Sequence, residues 1–558
     1  MLRNLLRIPA LVLAVLLALF CLNLIAANLP ASIYRQRIVE AVHSGGFAKR
    51  IPFPFGSSSG AEQPFRYNHN DCLILSMLAS PAQGSPVQNA VSPLMPVGRA
   101  RMPDGRVPPH EACSRMLLAA SQSVQTEYYH RYVHGHWTLA GVLLPLMSFE
   151  TLSLLLLLSS CSLALGVAAV ALYRLAGRRS AAPARDAAFL GMGAAGPLLL
   201  SLNNYGRSLS FAPSDIVMFG FMLVTLLRPL SGLSDRSFLT AITLFGALTA
   251  AFEFLTGAIP AAIALLLGCL AFDPAADQRL LARRAIRGIF CFGLAVLLAL
   301  LLKWLAVGVF WNGQEVASAA EKLAGWTRES RWTISLWAFP EIHQLWALGF
   351  PPQQVENSRI LLFAFALLRL ANESISMGFG SEWLGYFIIV AGPALLLVAG
   401  LIGVLRGGTG AHRIRGTFLM LAVAVMLGWH LLFVHHSILH AYFMQRPFAW
   451  LTLLLIGWVG WCIGKVRGLA RRSPSPSKAS ALLPQEGRVK RGMRVQGERY
   501  FDLPSESLRL TFAHSRSCHG GSMARSCCLK GVSSTYLASA AIHRPYSSGP
   551  VKPRIRAV

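Results

Sequence analysis

Long apolar stretches alternate with short polar ones along most of the chain. Each stretch approaches or reaches the ~20 residues that an α-helix needs to cross a hydrocarbon core about 30 Å thick. The pattern predicts an all-α, polytopic membrane bundle of about ten transmembrane helices. The ten stretches lie near residues 5–28, 149–173, 187–203, 211–227, 237–254, 257–272, 288–310, 382–405, 416–434 and 447–464.

The basic residues beside these stretches predict an orientation, because Lys and Arg are retained on the cytoplasmic side during insertion. Arg3 and Arg7 place the N terminus inside. The first stretch is longer than the apolar region of a signal peptide, so we expect an uncleaved anchor. Counting crossings from there puts five basic loops inside, namely 173–186, 228–237, 277–288, 406–416 and 464–472.

This topology divides the chain and predicts a multi-pass protein of the plasma (inner) membrane with both termini in the cytoplasm. Residues 359–371 are too short to span comfortably, and counting them would move the loop 406–416 outside, so we expect an interfacial or re-entrant segment. The divisions are an anchor helix (1–30), a first extracytoplasmic loop (31–136), transmembrane helices 2–7 (137–310), a second extracytoplasmic loop (311–381), transmembrane helices 8–10 (382–465) and a disordered basic tail (466–558).

The net charge of +27 does not indicate a nucleic-acid partner. The excess lies in the predicted cytoplasmic loops and in the tail, where positive-inside topology accounts for most of it. The tail is rich in Ser, Pro, Arg and Gly without apolar periodicity, which is typical of disorder. Its Cys518, Cys527 and Cys528 with His519 lack a fourth spaced ligand pair, so we predict no metal site there.

Two cysteines, Cys72 and Cys113, lie in the first predicted outer loop. An oxidising exterior permits a disulfide between them. The alternative is a pair of separate buried thiols, because a sequence gives no Cα separation.

The segment 127–137, EYYHRYVHGHW, concentrates charge and aromatic rings just before the second crossing. If it is helical, steps of 100° place four side chains in one narrow sector and two tyrosines in another. One interpretation is an interfacial helix that only contacts headgroups. The other is a site for a lipid phosphate or a cation, formed by Glu127, His130, Arg131 and His134. Zinc is disfavoured because the HExxH arrangement is absent.

A second histidine-rich segment, 435–446, falls in the last predicted outer turn. His436 and His440 are one helical turn apart, and Arg446 comes round to the same broad side. Ionisable groups at a membrane boundary are costly unless they are paired, hydrated or used on a substrate. Headgroup contact remains the alternative here too.

Further polar residues lie at the same predicted face. Glu253 and Asp215 lie near the outer ends of the fifth and fourth stretches, where either a helix cap or a functional role fits. Arg207 lies in a polar segment that is equally compatible with a simple turn. Asp71 precedes an apolar stretch in the first outer loop, as a helix N-cap or as a general base at the membrane boundary.

One anchor helix, a large outer loop that carries an acid, and many further spans with polar groups at the same face resemble the GT-C superfamily of integral-membrane glycosyltransferases. The resemblance is architectural and covers roughly residues 1–465, and no Asp-x-Asp or Glu-x-Asp pair follows the anchor. It implies sugar transfer from a polyprenyl-phosphate donor at the extracytoplasmic face. Asp71, with Glu127 or Glu253 in its place, would be the base. The implied donor-binding residues are His130, Arg131, His134, Arg207, His436, His440 and Arg446.

Two other functional classes remain open. A polysaccharide ligase or polymerase would use outer Arg and His residues against a lipid pyrophosphate without needing Asp71. A transporter or flippase would place ionisable residues near the midplane, often with internal repeats, and we find no repeat. The expected partners are a polyprenyl-phosphate-linked sugar and membrane lipids. The sequence identifies no cofactor with certainty, and a divalent cation is the one candidate.

Overall fold

The computed structural model describes residues 6–43, 69–80, 84–96, 126–177, 180–253, 256–324, 336, 339, 341–376 and 385–472. All of them belong to the first of two compact units, Met1–Leu482. The second unit, Leu483–Val558, lies outside the described residues. The last helix extends to Arg472, past the predicted start of the tail at 466. The disorder predicted for the remainder of the tail falls outside the described residues.

The structure is almost entirely helical, as the apolar pattern predicts. The first half contains α1 (Arg7–Asn28), α2 (Ala31–His43), α3 (His69–Ala79), α4 (Pro86–Val91), β1 (Leu94–Pro96), β2 (Thr126–Tyr128), α5 (Gly135–Leu143), α6 (Phe149–Ala176), α7 (Pro183–Leu199), α8 (Leu202–Tyr205), α9 (Ala212–Leu227), a 3-10 turn (Leu230–Gly232), α10 (Asp235–Ala251) and α11 (Ala258–Ala271). The second half contains α12 (Gln278–Phe310), α13 (Gly313–Ala324), α14 (Glu341–Ala347), α15 (Pro352–Asn357), α16 (Arg359–Ser376), a π-helical turn (Phe387–Ala391), α17 (Gly392–Arg406), α18 (Gly410–Leu432), α19 (Val434–Leu439), α20 (Ala441–Met444) and α21 (Arg446–Arg472).

Each of the ten predicted crossings coincides with a helix, and six are long and apolar enough to span a membrane. These six are Arg7–Asn28, Phe149–Ala176, Gln278–Phe310, Phe387–Arg406, Gly410–Leu432 and Arg446–Val466. The other four predicted crossings form α7, α9, α10 and α11, which have 14 to 17 residues. A multi-pass helical architecture is therefore supported, and the count of ten remains a prediction.

Close helix packing depends on small residues, as expected where lipid supplies no hydrophobic drive between helices. Gly416 of α18 packs against α17, and a Cβ added to it would lie 2.4 Å from the carbonyl oxygen of Gly400. Gly193 of α7 approaches α6 in the same way, with a Cβ 2.7 Å from the Ala164 oxygen. Larger side chains at these positions would separate the helices.

The segments predicted to share the outer face contact one another. We call this the polar end of the bundle, formed by residues 69–80, 126–136, 204–211, 256–259 and 434–446. Ser208 donates to Asp71 over 2.7 Å, and Arg446 pairs with Asp215. The predicted grouping of these segments agrees with these contacts.

Basic loops meet one another elsewhere in the bundle. Arg415 donates to the carbonyl oxygens of Asp273 and Ala275 over 2.7 and 2.6 Å. Arg284 donates to the carbonyl oxygen of Leu233 over 2.7 Å. The Arg284 contact joins the predicted loops 228–237 and 277–288, and the Arg415 contacts join the loop 406–416 to the residues just before 277. They match the predicted alternation, while which end faces the cytoplasm stays a prediction.

The helix predicted for 127–137 is wrong. Residues Thr126–Tyr128 form strand β2, which pairs antiparallel with β1 and sets Glu127 opposite Met95. His134 has φ 65°, in the left-handed region, and the helix begins only at Gly135. The single polar stripe expected from a continuous helix therefore does not form.

The predicted interfacial segment 359–371 belongs to helix α16. This helix is not among those that meet the length and composition of a span. It packs in a separate apolar cluster with Leu336, Ile342, Val355 and Ile438. Its Arg369 pairs with Glu341 over 3.0 Å, and both side chains are buried. The segment is thus packed against other parts of the second predicted outer loop and against α19.

Candidate functional site

An open cavity of about 340 Å³ brings together part of the predicted site at the polar end. Strand β2 and the residues after it form one wall, and helix α13 forms the other. The lining residues are Glu127, Tyr128, Tyr129, His130, Arg131, Glu315, Ser318 and Ala319. Two carboxylates, one guanidinium and one imidazole therefore share a single opening.

His130 is the most enclosed of these ionisable groups, with 5% of its surface exposed. Its Nδ1 lies 2.9 Å from the Ser92 hydroxyl, and its Nε2 lies 3.6 Å from Glu315 Oε2. Trp311 approaches the ring edge-on at a centroid distance of 4.7 Å. These contacts fix the plane of the imidazole at the back of the cavity.

Arg131 is half-buried and lies against the ring of Tyr129, with its guanidinium carbon 5.2 Å from the ring centroid. Stacking on an aromatic face leaves the edges of a guanidinium available for hydrogen bonds. An arginine in this setting suits a phosphate or carboxylate oxygen.

Glu315 was not predicted from the sequence. It lies in the first turn of α13, where its backbone N–H donates to Asn312 Oδ1 over 3.0 Å. Its side chain is 47% exposed. One sequence signal could have identified it: Glu315 is an acid in the second predicted outer loop, a few residues after the predicted crossing 288–310.

Lys303 was also missed, although it stands inside the stretch 288–310. A cation within a span is a strong signal of a specific partner. Only 7% of Lys303 is exposed. Its ammonium donates to the carbonyl oxygen of Val91 and to the hydroxyl of Ser92, the latter over 2.7 Å. Helix α4 is thereby tied to α12 directly behind His130.

Asp71 is 1% exposed at the start of α3, and three groups donate to its carboxylate. They are the Ser208 hydroxyl at 2.7 Å, the Ser210 N–H at 3.0 Å and the Leu209 N–H at 3.1 Å. Burial raises the pKa of Asp71 to about 6, against the opposing effect of these hydrogen bonds. The carboxylate is thus engaged in holding the turn that follows Arg207.

His136 is connected to the same turn. Its Nδ1 lies 2.8 Å from the Leu209 carbonyl oxygen, and its Nε2 lies 2.9 Å from that of Phe252. Burial lowers the pKa of His136 to about 4, against the opposing effect of the two carbonyl contacts. Leu209 therefore links Asp71 to His136 through its own N–H and C=O.

Glu253 lies at the end of α10 and is 6% exposed. Its two oxygens accept from the backbone N–H groups of Gly257 at 3.3 Å and Ile259 at 2.9 Å. These groups belong to the start of α11, so Glu253 occupies the position of a helix cap. Of the two roles weighed from the sequence, the geometry favours the cap.

Arg446 does not face the cavity as a free cation. It forms a buried ion pair with Asp215 and packs over the rings of Tyr205 and Phe211, at 4.8 and 5.2 Å from their centroids. Asp215 already pairs with the Arg446 guanidinium. Binding of a substrate phosphate by Arg446 stays a prediction.

The remaining predicted donor-binding residues lie outside the cavity lining. His134 Nε2 contacts the Tyr129 carbonyl oxygen, and burial lowers the pKa of His134 well below its usual value. A neutral histidine is a weak partner for a phosphate. His436 and His440 pack against each other at a ring distance of 4.5 Å, one turn apart as predicted. Arg207 is half-buried, and its enclosed Nε has no hydrogen-bond partner among the residues that the structure describes.

Cys72 is buried and disulfide-bonded. The other cysteines within the described ranges, Cys21, Cys161, Cys269, Cys291 and Cys462, are free. The partner of Cys72 therefore lies outside those ranges, as does Cys113. A bridge to Cys113 remains the prediction.

Among the described residues, no group of three or more His, Cys, Asp and Glu side chains is arranged to hold a metal ion. The carboxylates that line the cavity, and that could contribute ligands to a cation there, are Glu127 and Glu315. The option of a divalent cation stays untested.

Comparisons with protein-family models, with curated proteins and with solved structures find no match to this chain.

Proposed function

We propose that the chain is a membrane glycosyltransferase of GT-C type that transfers a sugar from a polyprenyl-phosphate donor to an acceptor at the polar end of the bundle. The observation that carries the proposal is the cavity in which Arg131 and His130 lie beside Glu127 and Glu315. It combines a cation for a phosphate with carboxylates for a proton. It also adjoins α12, an apolar helix long enough to span a membrane.

The chemistry requires each of these groups. The acceptor hydroxyl oxygen forms a bond to the anomeric carbon, and the bond from that carbon to the phosphate oxygen breaks. The electron pair leaves with the polyprenyl phosphate, whose negative charge Arg131 offsets. The hydroxyl proton passes to a carboxylate, for which we assign Glu315 because it is half-exposed and lies beside His130. Glu127 holds the acceptor on the opposite wall.

The apolar helices supply the binding surface for the polyprenyl tail. A lipid-linked donor keeps its tail in the bilayer while its phosphate stays at headgroup depth. The cavity lies at the end of α12, since α13 begins at Gly313, immediately after that helix. The donor phosphate and the Arg131 guanidinium would then lie at the same depth in the bilayer.

A second candidate is a ligase or polymerase of lipid-linked glycans. It is favoured by the hydrogen bonds that occupy Asp71, because such an enzyme does not depend on an acid in the first loop. The two candidates share the cavity and differ in the donor. The first takes a sugar monophosphate lipid, and the second takes a lipid pyrophosphate carrying a glycan.

The test is a transfer assay with the full chain in lipid nanodiscs. A polyprenyl-phosphate-linked hexose, radiolabelled in the sugar, is incubated with the protein and with acceptor glycans extracted from the expressing cells. We expect Glu315→Gln to reduce transfer about 100-fold or more, the usual contribution of a general base. Glu356→Gln is the matched control, since Glu356 is exposed on α15 in the same predicted loop.

Equal activity of Glu315→Gln and Glu356→Gln would remove Glu315 from the mechanism. Transfer only from a pyrophosphate-linked glycan would favour the ligase. Transfer from neither donor, by a protein that is folded by circular dichroism, would contradict both.

A further inference from the structure

A chain of polar contacts extends from the membrane helix α12 to the cavity. It starts at the Lys303 ammonium, passes through the Ser92 hydroxyl and the His130 ring, and ends at the Glu315 carboxylate. Three of the four side chains are buried, and Glu315 is half-exposed. The four residues come from three separate parts of the sequence.

The direction of the hydrogen bonds follows from the donors available. A lysine ammonium has only N–H donors, so the Ser92 oxygen must accept from Lys303. The hydroxyl has a single proton, and its other described contact is His130 Nδ1 at 2.9 Å. The Ser92 oxygen could accept a second hydrogen bond, but among the described residues Nδ1 is the only acceptor within reach of the Ser92 proton. Ser92 is therefore assigned as the donor to Nδ1, which is then unprotonated. The one proton of a neutral imidazole is then on Nε2, the nitrogen that faces Glu315.

Charge reinforces this assignment. The Lys303 side chain lies one hydroxyl away from the ring, so a second proton on Nδ1 would oppose the Ser92 O–H and would add a like charge to a protonated Lys303. If His130 were an imidazolium, its charge would pair with Glu315 and reduce the basicity of that carboxylate.

We propose that Lys303 and Ser92 are positioning residues that hold His130 as the neutral Nε2–H tautomer and thereby keep Glu315 available as a base. This inference rests on the proposed function for its catalytic consequence, whereas the tautomer itself does not. Lys303 acts only through Ser92 and His130 and touches no substrate. It accounts for a buried cation inside a predicted span.

The test is ¹⁵N NMR of the full chain in nanodiscs with ¹⁵N-labelled histidine at pH 7. The His130 signals are identified by their loss in His130→Asn. We expect wild-type protein to show protonated Nε2 and unprotonated Nδ1. In Lys303→Met the Ser92 hydroxyl is free to accept from Nδ1–H, and we expect imidazolium signals to appear. Lys303→Arg keeps the charge and the donors and should retain the wild-type pattern.

Ser92 provides a second, smaller test in case Lys303→Met does not fold. Ser92→Ala removes the donor to Nδ1, and the Nδ1 resonance should move toward that of a nitrogen without a hydrogen bond. Ser92→Thr keeps the hydroxyl and should restore it. A protonated Nδ1 in the wild type, or unchanged His130 signals in the folded Lys303→Met or Ser92→Ala protein, would overturn the proposal.

Activity gives an independent measurement. In the transfer assay, we expect Lys303→Met and Ser92→Ala to lower kcat about tenfold while KM for the donor changes less than about twofold, and Ser92→Thr to recover kcat. If the tautomer is as proposed and the wild type transfers no sugar from either donor, the proposed function fails and the positioning role stands. If the wild type transfers sugar and its His130 Nδ1 is protonated, the positioning role fails and the proposed function stands.

Discussion

Asp215 and Arg446 form a buried ion pair, although they lie 231 residues apart in the sequence. Only 1% of the Asp215 side chain and 8% of the Arg446 side chain are exposed. The pair joins the first turns of α9 and α21, and Tyr205 and Phe211 enclose the guanidinium. This contact fixes two helices at the polar end and neutralises a cation that the sequence alone presents as available to a substrate.

Removing one member of this pair should be strongly destabilising. Arg446→Met leaves the Asp215 carboxylate buried without its countercharge, and such changes cost about 3 to 5 kcal/mol. The free energy of unfolding is measurable by denaturant titration in mixed detergent micelles. The double variant Asp215→Leu/Arg446→Met should recover most of the loss, because a well-packed apolar pair replaces both charges. A single variant as stable as the wild type would contradict the structural role.

The sequence predicted the helices well because apolar length is a local property. Every predicted crossing is a helix, since about 20 apolar residues in succession leave few alternatives. The segment 127–137 was misassigned because β2 is stabilised by pairing with β1, and the pairing of Leu94 with Tyr128 is not visible in either segment alone. The helical spacing of 3.6 residues per turn therefore predicted one polar stripe along 127–137, which the observed strand and turn do not form.

The candidate site was predicted in part for a similar reason. Glu127, His130 and Arg131 lie within five residues, so their proximity follows from the chain. Glu315 joins them through tertiary packing of α13, and no spacing rule connects it to His130. From the sequence, Arg446 looks like a cation without a partner, because Asp215, with which it pairs, lies on a helix that is distant in the sequence. Buried ion pairs and substrate-binding cations have the same signature in a single sequence.

The pH dependence of stability should report on Asp71. Its pKa is raised from 3.8 to about 6 in the folded protein, so the folded state holds its proton more tightly than the unfolded state. The stability from this group is fully present below about pH 4 and is lost as the pH rises through about 6. We expect a loss of up to about 3 kcal/mol.

Comparison with Asp71→Asn isolates this contribution, because the amide does not titrate. The difference in unfolding free energy between wild type and variant should shrink or reverse in sign from pH 4 to pH 7. Parallel curves over this range would show that Asp71 titrates normally in the folded chain.

Arg131 should govern donor affinity. In the proposed site, Arg131→Ala removes a charge-assisted hydrogen bond to the donor phosphate, and we expect a loss of about 1.5 to 3 kcal/mol, or roughly 10- to 150-fold in Kd. Binding of a polyprenyl-phosphate-linked hexose to nanodisc-embedded protein measures this directly. Tyr132→Phe should cost far less. Arg228→Ala is the matched control, since Arg228 is exposed and lies at a basic loop. Equal losses in Arg131→Ala and Arg228→Ala would point to a general effect of charge.

The disulfide of Cys72 should close on Cys113. Peptide mapping of protein purified without reductant should give one linked peptide containing both residues. Cys72→Ser should lower the free energy of unfolding by about 3 to 4 kcal/mol, as expected for a loop of this length. A linked peptide joining Cys72 to any cysteine of the tail would contradict both the bridge and the predicted topology, because the tail is expected in the cytoplasm.

The central claim is that the cavity between β2 and α13 receives the sugar phosphate of a lipid-linked donor, and photo-cross-linking tests it most directly. The probe is a polyprenyl-phosphate-linked hexose with a diazirine on the sugar, irradiated with the full chain in nanodiscs and mapped by mass spectrometry. We predict that label is confined to peptides containing residues 126–131 and 313–324, that unlabelled donor competes it away, and that Arg131→Ala reduces it at least tenfold. Competable label confined to other segments, with these two peptides unmodified, would contradict the account.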